Sequence, residues 1–245
     1  MKRLFLSAFF VYLALNTFAQ HPDQIDVSNY TETIFNDTIN GMTVKGQVEN
    51  SRKEGTWTVS YNTGVITLLV QYQYGMKNGL VMELDRNGVL LSQTYFSNDT
   101  LNGTRLVFLG GGHPQLDEPY KMGKLHGTRR VFYERGKLQE ASDYIDGLKN
   151  GKSIWYDEDG KMLAEYNYLN GLFEGSQMVF YPNGNIKSEQ WYNQNRLHGK
   201  NIQFFENGKK KSSGNYNLGH KTGTWTFYDE TGKVIDVQNF GNSSQ

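Results

Sequence analysis

The residues able to do chemistry in this 245-residue chain are few. It has five histidines, His21, His113, His126, His198 and His220, and no cysteine. The missing thiols exclude disulfides, thiolate zinc sites, iron–sulfur clusters and a cysteine nucleophile together. His126 and His198 each stand directly before a glycine, in a slot that elsewhere holds Asn78, Asn102, Asn150, Glu54 or Glu174. A slot that accepts Asn, Glu and His equally is a solvated turn position, not a metal ligand. No His-Glu-x-x-His, Gly-x-Ser-x-Gly or phosphate loop occurs. Carboxylate pairs occur at Asp157/Asp159 and Asp117/Glu118; the first flanks a turn of the kind Asp commonly fills, and Asp157-Glu-Asp159-Gly160 supplies too few oxygens for calcium. No enzyme, metal or cofactor is expected. What remains is recognition by rings: Trp57, Trp155, Trp191 and Trp225 could anchor a protein partner or stack on sugars.

The elements that must position these rings are written in a repeat. Stepping by 24 from Gly55 reaches Gly79, Gly103, Gly127, Gly151, Gly175, Gly199 and Gly223. With that glycine as position 0, position 9 is glycine in all eight units, from Gly64 to Gly232, and position 17 is always Tyr or Phe, from Tyr72 to Phe240. Position 20 is glycine in five units, with Asp99 and Asn195 as substitutes that also tolerate positive φ. The 27 glycines, about 11% of the chain against a usual 7%, are therefore mostly punctuation.

Each unit reads as a β-hairpin. In Tyr181-Pro-Asn-Gly184, Pro182 pre-sets a type I turn and Gly184 supplies the left-handed residue of a bulge that closes the loop. Short loops make neighbours antiparallel, so the expected fold is all-β: an elongated antiparallel meander of eight 24-residue hairpins in a single curved sheet. Strict alternation puts positions 3, 5, 11 and 17 on one apolar face and all four tryptophans on the other. The third unit departs from the frame: Gly110-Gly-Gly-His-Pro114 replaces the usual turn, and Pro119 follows in the same strand. Such a break could leave a docking notch at His113 and Tyr120.

Three segments result: 1–19, 20–53 and 54–245. Lys2 and Arg3, an apolar run from Leu4 to Leu15, and small residues at Thr17 and Ala19 have the layout of a secretory signal peptide cut after Ala19. Export to the periplasm, outer surface or medium is expected. Asn29 to Lys53, with its turn at Asn40-Gly41, is the expected N-terminal cap. The 25 basic and 25 acidic residues cancel, which argues against nucleic acid and against attraction to an anionic membrane.

The unit Tyr168-x-x-Gly171-x-x-x-Gly175, followed by a strand to Tyr181-x-x-Gly184-x-Ile186, resembles MORN repeats, and most closely the bacterial variant of YwqK-type antitoxins. The resemblance implies a hairpin array used for protein interaction, scaffolding or membrane apposition, with an antitoxin role in some bacterial members. The expected function is an exported, non-enzymatic scaffold that binds an unknown protein partner. The alternative is a module for carbohydrate or cell-wall glycan, and after it membrane-lipid apposition.

Overall fold

The computed structural model describes residues 21–110 and 112–241; the expected signal peptide lies outside them. The described chain is all-β, with one 3-10 turn, Pro22–Gln24, as its only helical element. It divides after Thr100 into two compact units.

In the N-terminal unit, β1 (Ile34–Ile39), β2 (Met42–Glu49), β3 (Arg52–Tyr61), β4 (Ile66–Gln73), β5 (Met76–Leu84) and β6 (Leu90–Ser97) form an antiparallel meander in which each successive pair is hydrogen-bonded. The segment expected as a cap thus contributes a further hairpin, β1/β2. It turns at Asn40 and Gly41 (φ 53° and 78°) and lacks the bulged loop of the eight repeats.

The C-terminal unit contains β7 (Thr100–Phe108), β8 (Pro114–Lys121), β9 (Lys124–Leu125), β10 (Gly127–Phe132), β11 (Leu138–Ile145), β12 (Leu148–Tyr156), β13 (Met162–Leu169), β14 (Leu172–Phe173), β15 (Gly175–Phe180), β16 (Ile186–Asn193), β17 (Arg196–Phe204), β18 (Lys210–Asn217), β19 (His220–Tyr228) and β20 (Val234–Asn239). It too is an antiparallel meander. Short β9 and β14 are the starts of strands interrupted at His126 and Glu174.

Two turn types alternate. At position 9 the loop is the bulged one expected. Gly184 N–H donates to Tyr181 C=O at 2.9 Å, Tyr181 N–H donates to Asn185 C=O at 2.8 Å, and Gly184 has φ 89°. At positions 19 and 20 both residues have positive φ, as in Asp146-Gly147 (49° and 88°), which is the two-residue turn whose twist matches the flanking strands. Asp99 and Asn195 fill the glycine slot at φ 61° and 65°. These turns stack: the N–H at position 20 donates to the carbonyl at position −2, 22 residues earlier, as in Gly219 to Leu197 and Gly171 to Lys149, both 2.8 Å. The stack pins position −2 in each of the first seven repeats.

The face assignment differs from strict alternation. In repeat 1, Gly55 faces Tyr72 and Trp57 faces Val70, but Ser60 faces Ile66, with a one-residue shift between Val59 and Ser60. The same shift falls between positions 4 and 5 in all eight repeats. A bulge reverses side-chain parity beyond it. Positions 2, 4, 13, 15 and 17 therefore share one face, here called the ring face, while 3, 5 and 11 lie on the other.

Among the described residues the apolar core cluster lies in the N-terminal unit. Strand β2 alternates cleanly, with Met42, Val44 and Val48 buried, and these residues join Trp57, Val59, Leu68, Val70, Tyr72 and Val81. Ile25 and Val27, from the chain before β1, complete the cluster, so the N-terminal segment covers the ring face of its own unit.

Candidate functional site

Each repeat builds its ring face from position −2, the ring at 17 and the side chains between them. Position −2 is Lys53, Lys77, Leu101, Leu125, Lys149, Phe173, Leu197 and Lys221 in turn. Where it is lysine, the ammonium lies over rings: Lys53 over Trp57 and Tyr72 at 5.8 and 5.5 Å, Lys149 over Trp155 and Tyr168 at 5.8 and 5.2 Å, and Lys221 over Trp225 at 4.3 Å. Contacts of this kind contribute about 0.5–2 kcal/mol depending on desolvation.

This placement corrects the expectation for the tryptophans. Trp57 and Trp225 are 0% and 3% exposed, and they pack edge-on against the position-17 rings Tyr72 (6.1 Å) and Tyr216 (5.2 Å). Each indole lies against a glycine in the preceding strand. A Cβ on Gly46 would come within 2.1 Å of Trp57, and one on Gly214 within 2.3 Å of Trp225. Each indole N–H then donates to the next carbonyl, Gln47 or Asn215, at 3.1 Å. Half-buried Trp155 is also on the ring face, opposite Ala164. Only Trp191, half-buried at position 16 beneath Lys200 (5.8 Å), lies on the other face as expected.

Pro114 and Pro119 do share β8. His113 and Tyr120, however, stand at opposite ends of that strand, roughly 20 Å apart at the usual rise. Exposed His113 lies near Gly136 of the next loop, whose added Cβ would be 3.1 Å from the imidazole. The Tyr120 hydroxyl donates to Glu118 at 3.1 Å. The two residues do not form one notch.

In the N-terminal unit the ring face already holds a peptide. Lys53 Nζ donates to the Pro22 carbonyl. The Asp23 carboxylate accepts from the Tyr72 hydroxyl and, at 3.0 Å, from Lys77 Nζ. Burial alone would raise the Asp23 carboxyl, but the hydrogen bonds from His21, Tyr72 and Lys77 outweigh it and hold the group well below the usual range. Tyr72 is pushed up by its burial and then by Asp23.

In the C-terminal unit the position-17 rings Tyr120, Tyr144, Tyr168, Tyr192 and Tyr216 are only half-buried. Beside the first of them the ring face carries an ion-pair chain. Glu118 and Glu140, each 6% exposed, are bridged by Arg129 (3.0 and 3.3 Å); Arg105 closes one end on Glu118 (2.9 Å) and Lys149 the other on Glu140 (2.9 Å). Ser142 donates to Glu140 at 2.6 Å and shares a 2.6 Å contact with Ser153. Sequence reasoning missed this chain because the parity reversal hid which charges face each other. Burial raises the Tyr144, Tyr166, Tyr168 and Tyr192 hydroxyls, Tyr168 to about 12, so all remain protonated donors at neutral pH. Among the described residues no group of three or more His, Asp or Glu could hold a metal ion, and no helix is long and apolar enough to cross a membrane.

A stack of glycine-punctuated hairpins with a ring at a fixed position defines a repeat array, in which each unit packs on its neighbours. Residues 125–146, 149–170, 173–194, 197–218 and 221–242 match the MORN repeat variant, five consecutive matches in the C-terminal part of the chain. Each match begins at position −2. MORN repeats in general bind proteins or membranes and are not catalytic. No curated protein matches the chain.

Proposed function

We propose that this is an exported, non-enzymatic MORN protein that docks a protein partner on the ring face of its C-terminal unit and acts as an envelope scaffold. The observation that carries the reading is the contrast in burial between equivalent rings. Tyr72 is 4% exposed beneath the chain's own N-terminal segment, whereas Tyr120 to Tyr216 are half-buried. Rows of partly exposed tyrosines are good anchors because they bury large area at little entropic cost. Export rests on the pattern from Lys2 to Ala19. The kinship with YwqK-type antitoxins implied by the repeat frame would make the partner a toxin, and export would place their meeting outside the cytoplasm.

The test is capture from envelope extract by a tagged, exported copy, run beside Tyr168→Ser and Tyr192→Ser variants. Recovery of the same protein by the parent and its loss with the variants, at unchanged far-UV dichroism, is the expected result. Equal recovery by all three copies removes the ring face from the interaction.

A further inference from the structure

The peptide held by the N-terminal unit shows which chemistry the ring face accepts, and its key residues recur in the C-terminal unit. Tyr72 faces Lys77 across the β4/β5 ladder, and this pair grips Asp23. The same cross-strand pair returns every three repeats, as Tyr144 facing Lys149 and Tyr216 facing Lys221. At the second of these, Lys149 is already neutralised by Glu140. At the third, no carboxylate among the described residues pairs with Lys221, and the Tyr216 hydroxyl makes no hydrogen bond among them.

Around Lys221 the chain also repeats its first unit. Lys221-Thr-Gly-Thr-Trp225-Thr matches Lys53-Glu-Gly-Thr-Trp57-Thr. Both tryptophans use the same glycine recess and the same indole-to-carbonyl bond. Lys53 uses its ammonium to hold the carbonyl of Pro22. Among the described residues Lys221 has rings instead: Trp225 at 4.3 Å, Phe240 at 5.1 Å and Phe227 at 5.6 Å.

We infer that Tyr216, Lys221 and the rings beside them form a docking site for an extended acidic segment of a partner protein. An aspartate of that segment is held between the Tyr216 hydroxyl and the Lys221 ammonium, and apolar residues two and four places later lie on the neighbouring rings. Asp23, Ile25 and Val27 have that spacing. The commitment to an acidic partner follows from charge: a lysine over rings with no carboxylate lacks the counterion that both Lys77 and Lys149 possess. The inference rests on the reading that the ring face binds protein, and it adds where and what.

A fluorescently labelled synthetic peptide with the sequence of residues 21–30 is titrated into the full-length protein and followed by anisotropy. Saturable binding is expected, weakened at least tenfold by Lys221→Met, restored by Lys221→Arg, and lost when the peptide's aspartates become asparagine. The arginine variant separates loss of charge from loss of fold. Unchanged affinity with Lys221→Met, or loss with Lys77→Met instead, overturns the site. Sedimentation of the parent as a dimer that reverts to monomer with Asp23→Asn replaces the partner with a second copy. Peptide-independent binding to phosphatidylserine vesicles that Lys221→Met abolishes replaces it with a lipid surface. If the peptide fails while extract capture remains sensitive to Tyr168→Ser, the acidic site is wrong and the protein-binding reading stands.

Discussion

The two units are built from the same hairpin and stabilised by different physics. In the N-terminal unit the ring face is apolar, from Val44 through Trp57 to Val81, and the segment bearing Ile25 and Val27 closes it. In the C-terminal unit the equivalent positions carry Arg105, Glu118, Arg129, Glu140, Ser142 and Ser153, and among the described residues of that unit, on either face, the buried apolar ones are Ala164, Ile202 and Trp225. A repeat needs its backbone frame at every unit but not the same filling. The first filling makes a core, and the second leaves a surface on which another chain can pack.

The largest effect expected from this contrast is at Trp57. Trp57→Ala opens a cavity beside Phe35 and Tyr72 and should cost about 3–5 kcal/mol, read as an earlier urea transition of the N-terminal unit; a loss below about 1 kcal/mol would deny that this unit has a core. In the C-terminal unit, Arg129→Met removes the bridge between two buried carboxylates. Breaking a buried pair costs about 3–5 kcal/mol when the charge is fully desolvated. Arg129 retains 20% exposure, so a loss of about 2 kcal/mol is expected, smaller at high salt.

A weaker effect is expected at Asp23. Its folded pKa is depressed, so its contribution is present above the ordinary carboxylate pKa of about 4 and is lost as pH falls toward the folded value. Tyr72 is shifted the other way, so its part is complete below about pH 10 and fades above it. Hydrogen exchange at Ile25 and Val27 should accelerate at both extremes relative to Val44. Asp23→Asn should abolish the acid limb at a stability cost of about 1 kcal/mol. The smallest effect is expected at Trp191, on the opposite face. Trp191→Ala should shift stability by less than about 1 kcal/mol and leave peptide binding unchanged. A large loss there would show that both faces carry the fold.

The frame was legible from residues alone because glycine and its substitutes mark backbone needs that few others meet. Asp99 and Asn195 were readable as turn residues for the same reason, and the bulge at Gly184 followed from Tyr181-Pro-Asn-Gly184. The faces were not legible. The register shift between positions 4 and 5 inserts one residue on one strand, and no side chain announces it. Three of four tryptophans consequently lie with the tyrosines. The lysines at position −2 went unread, because their meaning depends on which rings they cover.

Local chemistry thus determined the repeat length, the turns, the antiparallel order and the absence of thiol chemistry, since each depends on a few neighbouring residues. Tertiary structure alone decided which residues face one another across strands. It brought Asp23 to Tyr72 and Lys77 over a separation of about fifty residues, joined Glu118 to Glu140 through Arg129, and left Lys221 without a carboxylate among the described residues. Those outcomes depend on long-range register, and in a β-sheet a single inserted residue changes every facing pair beyond it.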